Sequence, residues 1–191
     1  MKNLTIKTGR LETLTDITDD VLQYITDERI STGFLIVQTP DNECSVLTLS
    51  NETPTIEKDF IKKLTNLFPV NEGWEFHGFQ TNNLRSMIFG NSKTILIENG
   101  SLILGAYERI YLADFAGPSD NRLVLLQAFG EHMKPGEEAS LPEVVAQYNA
   151  SVKQKAADLK LEEERAIEEM RREYRESHPE TQDPDASDSK D

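Results

Sequence analysis

"SKTILIENGSLILGAYERIYLADFAG", residues 92 to 117, decides how this chain folds. Two apolar runs flank Asn99-Gly100. That pair suits a type I′ turn, which needs positive φ at both central positions. The runs are rich in Ile, Leu and Tyr, so they predict strands folded back as a hairpin. A further apolar run, residues 108–115, continues the sheet.

Working outward, "RLVLLQAFGE" (122–131) is a final strand. On the other side, "NLRSMIFG" (83–90) predicts a short helix closed by Gly90 in the left-handed region. "TPTIEKDFIKKLTNLFP" (53–69) predicts a longer helix. Thr53 is its expected cap, Pro54 suits its first turn, and Ile56, Phe60, Leu64 and Leu67 lie on one face. "NECSVLTLSNE" (42–52) follows the turn residues Pro40-Asp41-Asn42 and predicts a strand. "FLIVQ" (34–38) predicts another, with Gly33 as punctuation before it. "DITDDVLQYITDERI" (16–30) predicts a helix capped by Thr18. Asp19 and Asp20 complement its dipole, and Ile17 with Leu22 form a hydrophobic staple. Leu4 to Thr8 is a short strand. The resulting order, β-α-β-β-α-α-β-β-β-β, predicts an α+β domain over residues 1–131 with a mainly antiparallel sheet.

Beyond Glu131 the character changes. Residues 132–139 form a linker, and Ser140 with Glu143 matches a capping box. A long helix is expected within 140–176, with a thin apolar stripe of Tyr148, Val152, Ala156, Leu159, Ala166, Met170 and Tyr174. Glu163 interrupts a heptad reading of it. Residues 177–191 have the composition of a disordered acidic tail.

Formal net charge is −14 over 191 residues, divided equally between the domain and the much shorter C-terminal part. Neither part offers the clustered Lys and Arg that nucleic acid or anionic membrane requires. No apolar run reaches the length of a membrane span, and the N-terminus has no secretory h-region. The single cysteine fits a reducing compartment, so a cytoplasmic location is expected.

Generic chemistry is sparse. There is no phosphate-binding glycine motif. The three histidines, His77, His132 and His178, are scattered, and a zinc site needs about four convergent ligands. Cys44 with His77 would make a nucleophile pair, but a lone cysteine in a strand is ordinarily core packing. Glu43 and Glu52 stand at opposite ends of one strand, roughly 30 Å apart, so they do not act together.

The landmarks Phe89-Gly90-Asn91-Ser92, Leu104-Gly105-Ala106-Tyr107-Glu108 and Phe115-Ala116-Gly117-Pro118 carry a specific resemblance. With "DITDDVLQYI", Asn51-Glu52 and the closing "FGE", they make residues 4–131 similar to the YjbQ-like family. Its members are often labelled secondary thiamine-phosphate synthase enzymes. The resemblance implies a β-sandwich-like α+β domain with two to three helices, assembled as a homotrimer. It also implies a site of several histidines that hold a metal or an anion.

Counting without gaps from Asn51-Glu52 puts Glu43 where relatives carry the first histidine, followed by Cys44 and Ser45. The Tyr-x-His of relatives becomes Trp74-Glu75-Phe76, with His77 one place late, and a further histidine becomes Asn83, ahead of Leu84-Arg85. Asp114 is kept, and the arginine that often follows Gly-Pro is Ser119. The frame persists while its imidazoles are replaced, largely by oxygen donors.

Two readings stay open. In the first, inherited catalysis is lost, no metal or cofactor is bound, and the chain is a trimeric interaction or scaffold module meeting a protein partner through its C-terminal helix. In the second, a rebuilt pocket retains chemistry related to thiamine-phosphate synthase. Its catalytic residues would be Glu43, Ser45 and Asn83, with Arg85, His77 and Asp114 binding the ligand. Any divalent metal would sit on Glu43 and His77, and oxygen donors favour Mg²⁺, Ca²⁺ or Mn²⁺.

Overall fold

The computed structural model describes residues 1–9, 11–53, 55–69 and 80–177. In chain order the elements are β1 (Lys2–Thr8), β2 (Thr13–Asp16), α1 (Thr18–Glu28), β3 (Ile30–Gln38), β4 (Cys44–Ser50), α2 (Ile56–Leu67), α3 (Gln80–Phe89), β5 (Ser92–Glu98), β6 (Ser101–Leu102), β7 (Glu108–Asp114), β8 (Ser119–His132) and α4 (Glu143–Ser177). The fold is α+β, as expected, and every strand pairing is antiparallel.

Strands β1-β8-β3-β5-β6 form a five-stranded sheet, and β2-β7-β4 form a three-stranded one. The two sheets face each other across the main core. Leu35, Val37, Ile95, Val124 and Leu126 come from the larger sheet, and Cys44, Val46, Ile110 and Leu112 from the smaller. Each alternates with outward residues along its strand, as period-2 geometry demands. Helix α1 adds Val21, Tyr24 and Ile25 to this core. Burying each such aliphatic side chain stabilises the fold by about 1.5–3 kcal/mol. A second core lies on the other face of the small sheet. There Leu14, Leu47, Tyr111 and Phe115 meet Leu64 of α2, with Phe60 and Phe89 packed alongside.

Hairpin β5–β6 turns at Asn99 and Gly100, whose φ values are +50° and +73°. Gly90 has φ +79° and donates its N–H to the Ser86 carbonyl, closing α3.

Several local expectations need correction. Strand β2 was not foreseen: among its four residues only Leu14 is buried, so it shows no apolar alternation. Gly33 is not punctuation but an interior residue of β3, paired with Gly130 of β8. A Cβ on either would lie 2.0 Å from a carbonyl oxygen of the opposing strand. Thr18 does not cap α1. Its hydroxyl instead accepts the Ile110 N–H at 2.8 Å, joining the helix to β7. Thr55, not Thr53, stands at the start of α2, without a side-chain cap.

The segment read as a linker is tied to its surroundings. Met133 N–H donates to the Arg29 carbonyl at 2.7 Å, and Ser140 N–H to the Asn99 carbonyl at 2.8 Å. The compact unit extends from Met1 to Ala146, and a second begins at Gln147. Helix α4 starts at Glu143, with the Pro142 carbonyl accepting the Ala146 N–H. None of its residues is buried. The expected tail beyond residue 177 lies outside the described residues. No helix among the described residues is long and apolar enough to cross a membrane.

Candidate functional site

The candidate residues gather around the start of β4. Asp41 shapes the approach: its carboxylate accepts the Glu43 N–H at 2.9 Å, an Asx turn that aims the chain into the strand. The Glu43 carbonyl then accepts the Phe115 N–H at 3.1 Å, and Cys44 lies opposite Asp114 in the ladder with β7.

Strand alternation now separates the candidates. Cys44 belongs to the core between the sheets, while Phe115 belongs to the core beneath the helices. Glu43 and Ser45 therefore share the helix-covered face, and Asp114 shares the intersheet face with Cys44.

On the helix-covered face, α3 is fastened to β4. Ser86 Oγ donates to the Cys44 carbonyl at 2.7 Å, and Ser45 Oγ donates to the Ser86 carbonyl at 3.1 Å. Asn83 lies one helical turn before Ser86, on the same side of α3. The seam between β4 and α3 thus carries Glu43, Ser45 and Asn83. Glu43 Oε1 and Asn83 Oδ1 are buried there with no hydrogen-bond partner among the described residues.

Arg85 points away from this seam. It is fully buried, its guanidinium pairs with Glu12, and it donates to the Phe68 carbonyl at 2.9 Å. Glu12 holds φ +51°, a left-handed conformation uncommon outside glycine. His77, with Trp74, Glu75 and Phe76, lies outside the described residues.

On the intersheet face, Asp114 is fully buried and saturated. Its carboxylate accepts from Thr8 Oγ1 at 2.7 Å, from Arg122 at 2.8 and 2.9 Å, and from the amides of Ala116 and Gly117 at 3.0 and 2.8 Å. Burial pushes its pKa up, but Arg122, Thr8 and the two amides outweigh burial and hold it below the usual carboxylate range. Arg122 also pairs with Asp41, which links the strand entry to this cluster. Cys44 is the neighbour that loses by the arrangement. Burial pushes its thiol up, and the charges of Asp114 and Asp41 push it further, so it stays protonated and a poor nucleophile.

Sequence reading found Asp114 but not its partners Arg122, Thr8 and Asp41, nor Glu12 beneath Arg85. The available signal was Arg122 itself, a lone cation in the apolar run "RLVLLQAF". Positional correspondence points instead to Ser119, where the resemblance implies an arginine. Among the described residues, no three His, Cys, Asp or Glu side chains stand together as metal ligands.

Comparison with known proteins places this frame. The chain matches the family model described as UPF0047 protein YjbQ-like over residues 2–131. It is 31% identical over 116 residues to the UPF0047 protein MJ1081 of Methanocaldococcus jannaschii, covering 59% of this chain and 83% of that protein. It is 28% identical over 120 residues to the UPF0047 protein YugU of Bacillus subtilis, covering 62% and 91%. A solved YjbQ/UPF0047 structure from Clostridium acetobutylicum superposes with TM-score 0.65 at 26% identity, covering 68% of this chain and all of that one. A hypothetical protein of Aeropyrum pernix gives TM-score 0.64 at 26% identity, covering 68% and 98%. Every landmark that carries the fold falls inside the matched range, and α4 falls outside it. The chain belongs to the UPF0047 family of YjbQ-like proteins.

Proposed function

We propose that this chain is a diverged UPF0047 protein that works in the cytoplasm as a homotrimeric interaction or scaffold module, not as a catalyst. One observation carries the reading: three of the candidate side chains, Ser45, Arg85 and Asp114, are engaged in holding the fold. Ser45 is tied to α3, Arg85 is buried against Glu12 and the Phe68 carbonyl, and Asp114 is saturated by Arg122, Thr8 and two amides. A general base needs reach to a substrate proton, and a phosphate-binding arginine needs free donors at a surface. Ser45 and Asp114 lack that reach, and Arg85 is fully buried, with its Nε the one guanidinium nitrogen lacking a partner among the described residues.

The recognition element is α4. Val144, Tyr148, Leu159, Met170 and Tyr174 are all exposed along it, a form of helix that offers an apolar stripe to a partner groove. Sedimentation equilibrium of the full chain tests the assembly. A mass of three chains is expected, and a single-chain mass at micromolar concentration would overturn it.

A second reading has one specific observation in its favour. Glu43 Oε1 and Asn83 Oδ1 are buried acceptors without a partner among the described residues, and an unmet buried acceptor is costly. A bound donor or divalent cation would satisfy them. In this reading Glu43, Ser45 and Asn83 act on a substrate of thiamine-phosphate synthase type, with Arg85, His77 and Asp114 as its binding residues. Metal content after purification without chelator tests it: a stoichiometric cation lost in Glu43→Gln would favour this reading over the first.

A further inference from the structure

Helix α4 carries an apolar stripe whose period is eleven residues. A heptad reading fails at Glu163, but spacings of three, four and four run the length of the helix without a slip. Val145, Tyr148 and Val152 make the first set, Ala156, Leu159 and Glu163 the second, and Ile167, Met170 and Tyr174 the third. Eleven residues in three turns is about 3.67 per turn, close to the 3.6 of a straight α-helix. The stripe therefore stays on one side of this 35-residue helix, with Glu163 as its one charged position. No residue of α4 is buried, and Tyr148, Leu159, Met170 and Tyr174 are 59–65% exposed. Helices in proteins are held chiefly by packing of an apolar face, so this stripe calls for a cover.

The edges of the stripe select what covers it. At about 100° per residue, Lys153, Lys160, Arg171 and Arg175 fall along one edge, with Glu164 as the exception. Glu162, Glu169 and Glu173 fall along the other, with Lys155 as the exception. Charges at such edges set the partner and the direction of a coiled coil. When two copies of this helix run parallel, the cationic edge of one meets the anionic edge of its neighbour. When they run antiparallel, like edges meet and repel. A second α4 is therefore a complementary partner in one direction only. In-register pairing keeps all three sets of the stripe in contact. It also brings Glu163 of each copy into the seam, where a polar residue specifies register at a cost in stability.

We infer that α4 pairs with α4 of other copies as a parallel, in-register coiled coil of eleven-residue period. This names the partner of the recognition helix proposed above and rests on that reading. The contact is separate from the matched domain, because α4 begins beyond residue 131, where the family match ends. The test treats cysteine variants of the full chain with oxidised glutathione and weighs the products under denaturing, non-reducing conditions. Cys44 is buried, so it stays out of the reaction. Tyr174→Cys is expected to give covalent pairs, and Tyr148→Cys mixed with Tyr174→Cys only pairs of like variants. Pairs between the unlike variants, or no pairs beyond those of wild type, overturn the coil. Glu163→Leu is a second test. Leu and Glu have similar helix propensity, so the substitution leaves an exposed position unchanged. In the seam it should raise the melting transition of the helix, followed by circular dichroism, by about 5 °C or more. An unchanged or lowered transition overturns the coil. Sedimentation equilibrium of the same samples separates the two readings. A three-chain mass without pairs removes the coil and leaves the trimer. Pairs at a two-chain mass remove the trimer and leave the coil, and a single-chain mass removes both.

Discussion

Asp114 is bound tightly into the fold. Its carboxylate is held by five donors, and its charge is matched by Arg122. Removing one partner of a buried pair leaves the other charge uncompensated, so Arg122→Ala should cost about 3–5 kcal/mol in urea denaturation. The pH dependence follows from the lowered pKa of Asp114 in the folded state. Its stabilisation is fully present above the unfolded value of about 3.9 and drains away as pH falls through the lower folded value. Asp114→Asn should therefore flatten the acid side of the stability profile, and an unchanged slope would count against this assignment. Cys44 gives a second test at this scale. Fully buried and held protonated, it should resist thiol reagents in the native chain and react only after denaturation. None of this was legible beyond Asp114 and the lone cysteine. Arg122 lies only eight residues on but in the other sheet, and Thr8 reaches the carboxylate across 106 residues, a contact no local pattern records.

At the scale of elements, sequence and structure agree where short-range chemistry decides. Asn99-Gly100 makes its turn and Gly90 closes its helix, because each needs a positive φ that its own residue type favours. They part where a partner strand decides. Gly33 reads locally as a break, but its role is set by Gly130 across the ladder. Gly33→Ala or Gly130→Ala forces a Cβ to 2.0 Å from a backbone oxygen, and the strands must shift. A loss of about 1–3 kcal/mol is expected for either, read as a lowered melting temperature. Strand β2 escapes for a related reason: its pairing to β7 defines it, and Leu14 alone of its four residues is buried. Helix α4 has the opposite balance, with no buried residue and only surface pairs such as Arg172 with Glu176. Hydrogen exchange should be fast along α4 and slow in β3 and β8 when the chain is dilute. Protection of α4 equal to that of β3 would mean that a partner already covers it.

For the whole molecule, the family frame was legible because its landmarks are turns and strand ends with demanding residue types. Reading a site from positional correspondence was harder. Glu43, Ser45 and Asn83 do share one face, but Asp114 lies on the other side of its sheet and Arg85 turns towards Glu12. Correspondence along the chain does not reveal which face a side chain takes or which partner holds it. The account therefore turns on whether those polar residues still do chemistry. The most direct measurement supplies the purified full chain with pyrimidine pyrophosphate, thiazole phosphate and divalent cation, and follows thiamine phosphate. No product above the protein-free rate is predicted, with Glu43→Gln indistinguishable from wild type. Multiple turnovers by wild type that vanish in Glu43→Gln would contradict it.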